Sequence, residues 1–238
     1  MTPFWTPQVC AICLTADRQA LTDRAVACFL AQTYKPSHLL IYDTGKKPYR
    51  LNCLASSRIT VVNDGHEMAR AIGALRNTAN GLTPPGTDIL IHWDSDDWSS
   101  PHRIADQVAC LPESGRDCVG YNSVLFWRRG EAWAYTNRNS DYCIGASLCY
   151  WRKTWERQPF KGNRPDMAKR ALGEDKEFLQ HIDAEGFPAI FEDHATLVCE
   201  IHGGNTMSYD LEAMQATGDT FWRRAPQFDA KLAELMKL

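Results

Sequence analysis

The stretch that decides the fold is DILIHWDSDD, which covers residues 88–97 of this 238-residue chain. Its first half is a short apolar run of the kind that forms a buried strand. Asp94, Asp96 and Asp97 follow at once. Three carboxylates so close together repel one another unless a cation lies between them, and hard divalent ions such as Mg²⁺ and Mn²⁺ prefer such oxygen ligands. A solvated helix start, where Asp is favoured by capping and by the helix dipole, is the alternative interpretation.

Upstream of this stretch, further apolar runs alternate with segments of helical spacing. The predicted strands cover residues 8–15, 38–42, 58–63 and 88–93, and the predicted helices cover 21–34, 67–79 and 101–111. Such alternation predicts an α/β fold with a mostly parallel central sheet flanked by helices. Ligands of these sheets bind at the carboxyl ends of the strands. Asp17, Asp43 and the acids of 94–97 all follow predicted strands, so we expect them to face one crevice.

The second half has a different pattern, which predicts a smaller, mixed sheet. Strands are expected over 118–127 and 133–135 and within 189–201, and helices over 174–185 and 211–238, the last interrupted near Pro226. A basic loop covers 161–173. No change of composition marks a boundary, so we expect a single domain over 1–238.

Composition excludes several classes of protein. The formal net charge is −3, which argues against a protein that coats nucleic acid through net charge alone. No apolar run approaches the roughly 18 residues of a membrane helix, and the N-terminus does not resemble a secretory signal. The nine cysteines are an odd number, and Cys10 and Cys13 lie inside a predicted strand. We therefore expect buried, reduced thiols in a cytoplasmic protein.

Several motifs in order along residues 9–204 give the chain a family likeness. They are VCAICLTADR (9–18), IYDTG (41–45), Arg76-Asn77, DSDD (94–97), Gly173-Glu174-Asp175 and His202. In this order and spacing the chain resembles the family-2 glycosyltransferases, which have the GT-A fold and use nucleotide sugars. One departure is that Asp43 is followed by Thr44, where the family usually has a second acid.

The resemblance implies a role for each matching residue. The residues expected to contact the nucleotide or the donor sugar are Thr15, Asp17, Asp43, Arg76, Asp94 and Ser95. Asp96 and His202 are expected to ligate Mn²⁺ or Mg²⁺, and Asp175 to be the general base with Glu174 as its neighbour. Some of these residues also have a purely structural interpretation. Asp43 is then a turn residue, the two acids after Gly173 begin a helix, and His202 is a structural histidine.

The implied activity is metal-dependent, inverting transfer of a sugar from a nucleoside diphosphate, most often uridine diphosphate in this family, to an acceptor hydroxyl. Residues 1–111 would bind the nucleotide sugar, 112–210 would hold the acceptor and catalytic side, and 211–238 would be a C-terminal helical segment. The acceptor, a saccharide or another hydroxyl compound, is not visible in the sequence, and neither is the oligomeric state.

Three alternatives stay open. A nucleotidyltransferase is disfavoured because the loop after the first strand lacks glycine, and a non-catalytic nucleotide-sugar-binding protein is disfavoured by the intact set of acids. A modified DNA base as acceptor is not favoured given the acidic net charge, although basic residues are available. They are Arg128, Arg129, Arg138, Lys161 and Arg164. Loop 161–173 is either a solvated face or a lid over the diphosphate.

Several aromatic residues are either core residues or platforms on which a sugar or a base stacks. They are Trp93, Trp98, Trp127, Trp133, Tyr135 and Trp151.

Overall fold

A computed structural model describes residues 6–52, 57–65, 71–162, 173–205 and 210–237. Within these ranges the strands are β1 Val9–Thr15, β2 Ser37–Asp43, β3 Ile59–Asn63, β4 Ile89–His92, β5 Trp98–Ser99, β6 Cys118–Arg128, β7 Glu131–Thr136, β8 Cys149–Trp151, β9 Ala184–Pro188, β10 Leu197–Glu200 and β11 Trp222–Arg224. The helices are α1 Gln19–Leu30, α2 Ile72–Gly81, α3 Arg103–Ser114, α4 Arg152–Arg157, α5 Glu174–Leu179, α6 Leu211–Ala216 and α7 Asp229–Leu235.

The first half contains the predicted parallel sheet. β1 lies between β2 and β4, and β3 extends the sheet beyond β2, all in parallel. Val9 to Cys13 of β1 are at most 2% exposed, as expected for a parallel strand that is covered on both faces. Because Thr15 pairs with Asp43 at the ends of β1 and β2, the residues that follow these strands emerge at one edge of the sheet.

The second half contributes the antiparallel part of the sheet. β8 runs antiparallel between β4 and β6, and so joins the two halves into one sheet. β6 is the organising strand, since β7 pairs with it in antiparallel fashion and β9 and β10 pair with it in parallel. The predicted fold class, a mostly parallel core with a smaller mixed half, is therefore confirmed.

Two predicted helices are wrong in part. The helix expected over 174–185 ends at Leu179, and Ala184–Pro188 is a strand. The segment is a strand because it pairs in parallel with β6, and Gly186 permits a close approach to the Tyr142 carbonyl oxygen, from which a Cβ would lie only 2.0 Å away. In 211–238 the structure has helices separated by β11, whose Trp222 pairs with Tyr135 of β7. Long-range pairing decided both segments against their local pattern.

The described cysteines are free thiols and most of them are buried, as the composition suggested. None of the described helices combines the length and apolar character needed to cross a bilayer. Every cysteine within the described ranges is a free thiol, and Cys10 and Cys13 are fully buried in different apolar clusters. This pair therefore belongs to two sides of the sheet and does not form a dithiol site.

A buried arginine connects β4 with the chain that leads into β8. Arg103 of α3 is 1% exposed, and its guanidinium donates hydrogen bonds to the carbonyls of His92 (2.7 Å) and Ala146 (2.8 Å). It also donates to Ser99 Oγ at 2.9 Å and lies 4.9 Å from the ring centroid of Trp93. One side chain thus fixes the ends of segments that are distant in the chain.

We expect Arg103→Met to lower the free energy of unfolding by about 3 kcal/mol or more, because it leaves buried carbonyls without donors. Urea denaturation followed by circular dichroism measures this change. The matched control is Arg157→Met, whose side chain is 61% exposed in a surface ion pair with Asp117 and which should cost less than about 1 kcal/mol. Equal losses for the two variants would contradict the structural role of Arg103.

Candidate active site

The carboxyl ends of β1 and β4 open into a cavity of about 620 Å³. Four predicted acids line it together: Asp94 and Asp96 after β4, and Glu174 and Asp175 at the start of α5. Arg76 of α2, Thr15 and Ser95 line it as well. The structure therefore brings together residues that are up to 160 positions apart in the chain.

Arg76 is the cation at the centre of these acids. Its side chain is only 6% exposed, and its guanidinium lies 3.5 Å from Glu174 Oε1, 3.6 Å from Asp175 Oδ1 and 3.9 Å from Asp94 Oδ1. Burial by itself would lower the pKa of Arg76, but the charges of these three carboxylates outweigh it and raise the pKa. Arg76 therefore stays charged and reduces the mutual repulsion of the acids.

Asp175 is a carboxyl group that titrates near neutrality. Burial raises its pKa to about 7; Arg76 opposes that shift, while Glu174 and Asp94 add to it. Its inner oxygen, Oδ1, is buried without a hydrogen-bond partner among the described residues. His92 faces it from β4, with Nδ1 3.8 Å from Oδ1. A carboxyl group with such a pKa exchanges protons readily at physiological pH.

Gly145 brings backbone against the Asp175 carboxyl group. A Cβ at this position would lie 2.0 Å from Asp175 Oδ2, so any side chain there would displace the carboxyl group. His92 holds this turn, because its Nδ1–H donates to the Gly145 carbonyl at 2.7 Å. Burial lowers the pKa of His92 well below its usual value, which keeps the ring neutral and leaves one nitrogen as the donor.

Asp96 lies a short distance away with a different set of partners. Its Oδ2 accepts hydrogen bonds from Arg18 Nη1 at 2.8 Å and from His202 Nε2 at 3.0 Å. Arg18 also donates to the Gly204 carbonyl, and the Gly204 N–H donates to His202 Nδ1 at 3.0 Å. Since Nδ1 is an acceptor here, a neutral His202 carries its proton on Nε2 and donates it to Asp96.

Asp96 and His202 are the residues that could contribute ligands to a divalent cation, as the resemblance implied. Asp96 Oδ2 and His202 Nε2 lie 3.0 Å apart and are hydrogen-bonded to each other, and within the described ranges no group of three or more His, Cys, Asp or Glu side chains is arranged to hold a metal ion. Mg²⁺ commonly uses only one or two carboxylates and takes its other ligands from water and phosphate. A cation here would displace Arg18 from the Asp96 oxygen.

The other two acids of the 94–97 motif differ from Asp96. Burial raises the pKa of Asp97 well above its usual value, with help from Asp96 and Asp94, and its Oδ1 accepts a hydrogen bond from the backbone N–H of Glu200 at 3.2 Å. Asp97 thereby ties the 94–97 turn to β10. Burial also raises the pKa of Asp94, whose side chain is one-third exposed to the cavity.

Asp17 and Asp43 border a second, smaller cavity of about 450 Å³. Both oxygens of Asp43 accept backbone hydrogen bonds, from Gly45 at 2.8 Å and from Tyr49 at 2.6 Å, so this carboxylate shapes the loop after β2. Asp17 has a left-handed backbone (φ 54°), and its Oδ1 accepts from the N–H of Lys47 at 2.8 Å. Thr15 and Arg18 line both cavities, which are therefore adjacent.

Sequence reasoning missed the residues whose contribution depends on long-range contact. Gly145 and His92 were not singled out, and Arg18 was noted only as the last residue of the motif at 9–18. The sequence did carry a signal for two of them, since Arg18 is a cation directly after the first strand and His92 lies in the strand before the acids. It carried no signal for Gly145. Most of the expected lid, 163–172 with Arg164, lies outside the described residues. Of the other basic candidates, Lys161 pairs with Glu177 at 2.8 Å and Arg128 pairs with Glu212.

Comparison with known proteins gives a likeness of structure only. No family model matches the sequence, and no curated protein matches it significantly. S. aureus TarS residues 1–349 in complex with UDP-GlcNAc matches with a TM-score of 0.60 and 12% identity, over 88% of this chain and 64% of that one. The mannosyltransferase PcManGT from Pyrobaculum calidifontis, in complex with GDP-Man and Mn²⁺, matches with a TM-score of 0.55 and 14% identity, over 97% of this chain and 69% of that one.

The chain thus spans less than two-thirds of the TarS structure, and its likeness to both proteins shows the fold. That fold is the GT-A-like fold of glycosyltransferases, as the sequence predicted. Membership of family 2 stays a prediction.

We expect the Asp175 carboxyl carbon to titrate with a pKa of about 7 in a carbon-13 NMR experiment. Glu174→Gln removes a neighbouring negative charge and should lower this pKa, whereas Arg76→Gln removes the cation and should raise it. Glu177→Gln removes a charge from the same helix and serves as the control. An Asp175 pKa near 4, or shifts of the same sign in the Glu174 and Arg76 variants, would contradict the electrostatics of this site.

Proposed function

We propose that this protein is a metal-dependent, inverting glycosyltransferase, which moves a sugar from a nucleoside diphosphate to an acceptor hydroxyl. The observation that carries the proposal is the position of Asp175, a carboxyl group with a pKa of about 7 that lines the same cavity as Asp94 and Asp96 yet comes from a separate segment of the chain. The fold shared with TarS and PcManGT supports general glycosyl transfer.

The donor would lie across the two adjacent cavities. The nucleoside would enter the smaller one, where Asp17 and the loop shaped by Asp43 offer polar groups, and the diphosphate and sugar would extend past Thr15 into the larger one. UDP is the first nucleotide to test, because TarS was crystallised with UDP-GlcNAc, although GDP-Man in PcManGT keeps guanosine donors in the screen. Residues 1–111 would then form the donor half.

A divalent ion would be held by Asp96 and His202, with the diphosphate completing its coordination. Mn²⁺ in the PcManGT complex supports a metal of this type. When bound, the ion neutralises the charge that develops on the departing diphosphate. For both groups to act as ligands, Arg18 would have to release the Asp96 oxygen, and His202 would have to carry its proton on Nδ1 instead of Nε2.

Asp175 would act as the general base. It takes the proton of the acceptor hydroxyl as the oxygen attacks the sugar carbon, a contribution of roughly 10²- to 10⁴-fold in rate. An attack from the side opposite the diphosphate inverts the sugar carbon and needs no covalent enzyme intermediate. Arg76 and Glu174 adjust the proton affinity of this carboxylate, and Gly145 keeps the space in which it lies.

We expect Asp175→Asn to reduce transfer at least about 100-fold while binding of the nucleotide changes little, because the amide cannot accept the proton. Transfer is measured by release of nucleoside diphosphate with acceptor present, and binding by calorimetry. Asp193→Asn is the control, since that side chain is 86% exposed and pairs with His194. Full transfer by Asp175→Asn would disprove the base role.

For the wild-type protein, kcat/KM should fall about tenfold for each pH unit below about 7 and level off above it, because only the deprotonated base is active. The groups facing Asp175 are Arg76, Glu174, Asp94 and neutral His92, and Glu174→Gln should move the inflection to lower pH. A profile that is flat from pH 5 to 8 would contradict this assignment.

Asp96→Asn should raise the Kd for Mn²⁺ at least about tenfold, since it removes a charged ligand. Arg18→Ala should lower the Kd, because the guanidinium no longer competes for the Asp96 oxygen. Electron paramagnetic resonance of free Mn²⁺ measures both values without turnover, again with Asp193→Asn as control. Unchanged Mn²⁺ affinity in both variants would place the metal elsewhere.

The experiment that tests the proposal as a whole is a screen of nucleotide sugars with Mn²⁺. At least one donor should be hydrolysed slowly and should raise the melting temperature, because binding to the folded state stabilises it. If every UDP and GDP donor is left intact and none changes the melting temperature, the proposed function is wrong.

A further inference from the structure

The large cavity is lined by aromatic rings as well as by carboxylates. Four of them come from the second half of the chain: Phe126 on β6, Tyr135 on β7, Tyr142 in the following loop and Trp222 on β11. We call these four residues the aromatic wall. Of the six aromatics that the sequence suggested as stacking platforms, only Tyr135 lies here; Trp93, for example, is 1% exposed in the core.

The rings of the aromatic wall support one another. The centroid of Trp222 lies 4.7 Å from that of Phe126 and 5.1 Å from that of Tyr135, and Tyr135 lies 6.0 Å from Tyr142. Phe126 and Trp222 are 6% and 8% exposed, whereas Tyr135 and Tyr142 are only half-buried. The inner rings are therefore fixed by packing. Tyr135 also stacks with Phe221 at 5.9 Å, so a ligand could contact only the parts of the two tyrosines that line the cavity.

The aromatic wall is next to the proposed base. Tyr142 precedes by three residues Gly145, whose backbone packs against the Asp175 carboxyl group. Ile144 and Ala146, on either side of Gly145, also line the cavity. The aromatic wall and Asp175 therefore line one cavity, with residues 144–146 between Tyr142 and the carboxyl group.

The charges of the cavity select among acceptors. Its described lining includes the carboxyl groups of Asp94, Asp96, Asp97, Glu174, Asp175 and Glu200, but only two cations, Arg18 and Arg76. Both cations are already paired with these acids. The donor diphosphate can bring a divalent ion with it, but an acceptor phosphate on the Asp175 side would meet more carboxyl groups than cations, since Arg76 is already paired with three of them. Nucleic acid and other phosphate-bearing acceptors are thus disfavoured.

We propose that the aromatic wall is an acceptor subsite for a neutral saccharide. This inference deepens the proposed function and rests on it. A sugar ring offers a C–H face, which packs on the electron-rich face of an aromatic ring, and hydroxyl groups on its rim. With its face on Tyr135 and Tyr142, one hydroxyl turns toward Asp175. Its oxygen forms the new bond to the donor sugar carbon, the bond from that carbon to the diphosphate breaks, and the proton passes to Asp175.

The test uses the full chain with UDP and Mn²⁺ and, as probes, the methyl glycosides and disaccharides of glucose, galactose, mannose and N-acetylglucosamine. Saturation-transfer NMR should show contact strongest at the ring C–H protons of at least one probe. With that probe as acceptor, Tyr135→Leu should raise KM about tenfold, the loss of one stacking contact, and change kcat much less. Tyr135→Phe keeps the ring and should restore KM.

Phe191→Leu is the matched control, because this ring is 44% exposed, stacks on His194 and lines neither cavity. The subsite is disproved if Tyr135→Leu leaves the acceptor KM unchanged, or if no saccharide binds. It is also disproved if an oligonucleotide or a sugar phosphate is the better acceptor. Donor hydrolysis measured in parallel separates these failures from a failure of the proposed function, since hydrolysis needs no acceptor.

Discussion

The candidate active site of this structure depends on one buried cation among three carboxylates. Arg76 lies within 4 Å of Asp94, Glu174 and Asp175, which come from two distant segments of the chain. Without a positive charge, burial and mutual repulsion would force these acids to protonate or to separate. With it, they stay together, and Asp175 keeps a pKa of about 7, at which it can both hold and release a proton. The proton affinity of Asp175 is therefore set by the balance between burial and neighbouring acids, which raise its pKa, and Arg76, which lowers it.

Close backbone contact and hydrogen bonds fix the position of the Asp175 carboxyl group more exactly than charge alone can. Gly145 has no side chain, and only for that reason can the Asp175 carboxyl group lie where it does. His92 holds the Gly145 carbonyl, and Arg103 holds the carbonyls of His92 and Ala146 on the other side. The end of β4 and the 145–147 turn are thus fixed together. The base role proposed for Asp175, which requires hydrogen-bond distance to an acceptor hydroxyl, would benefit from such rigid support.

Local pattern was a good guide to the parallel half and a poorer one beyond it. The apolar runs before Asp17, Asp43 and Asp94 are strands because buried parallel strands require continuous apolar residues. By contrast, 184–185, the first residues of β9, and 222–224 were expected to be helical. They became strands because β6 and β7 offered unpaired edges, and edge pairing is a property of the assembled sheet rather than of the segment.

The sequence by itself determined the kind of fold and predicted acids that line one cavity, because apolar runs that end in carboxylates are local features and the carboxyl ends of parallel strands must converge. It could not determine which oxygen of each acid faces the cavity, that Arg18 donates a hydrogen bond to Asp96, or that the Gly145 backbone packs against the Asp175 carboxyl group. Nor could it separate the rings of the aromatic wall from those of the core. These features were decided by tertiary structure, since each depends on contacts between segments whose separation in the chain carries no local signal.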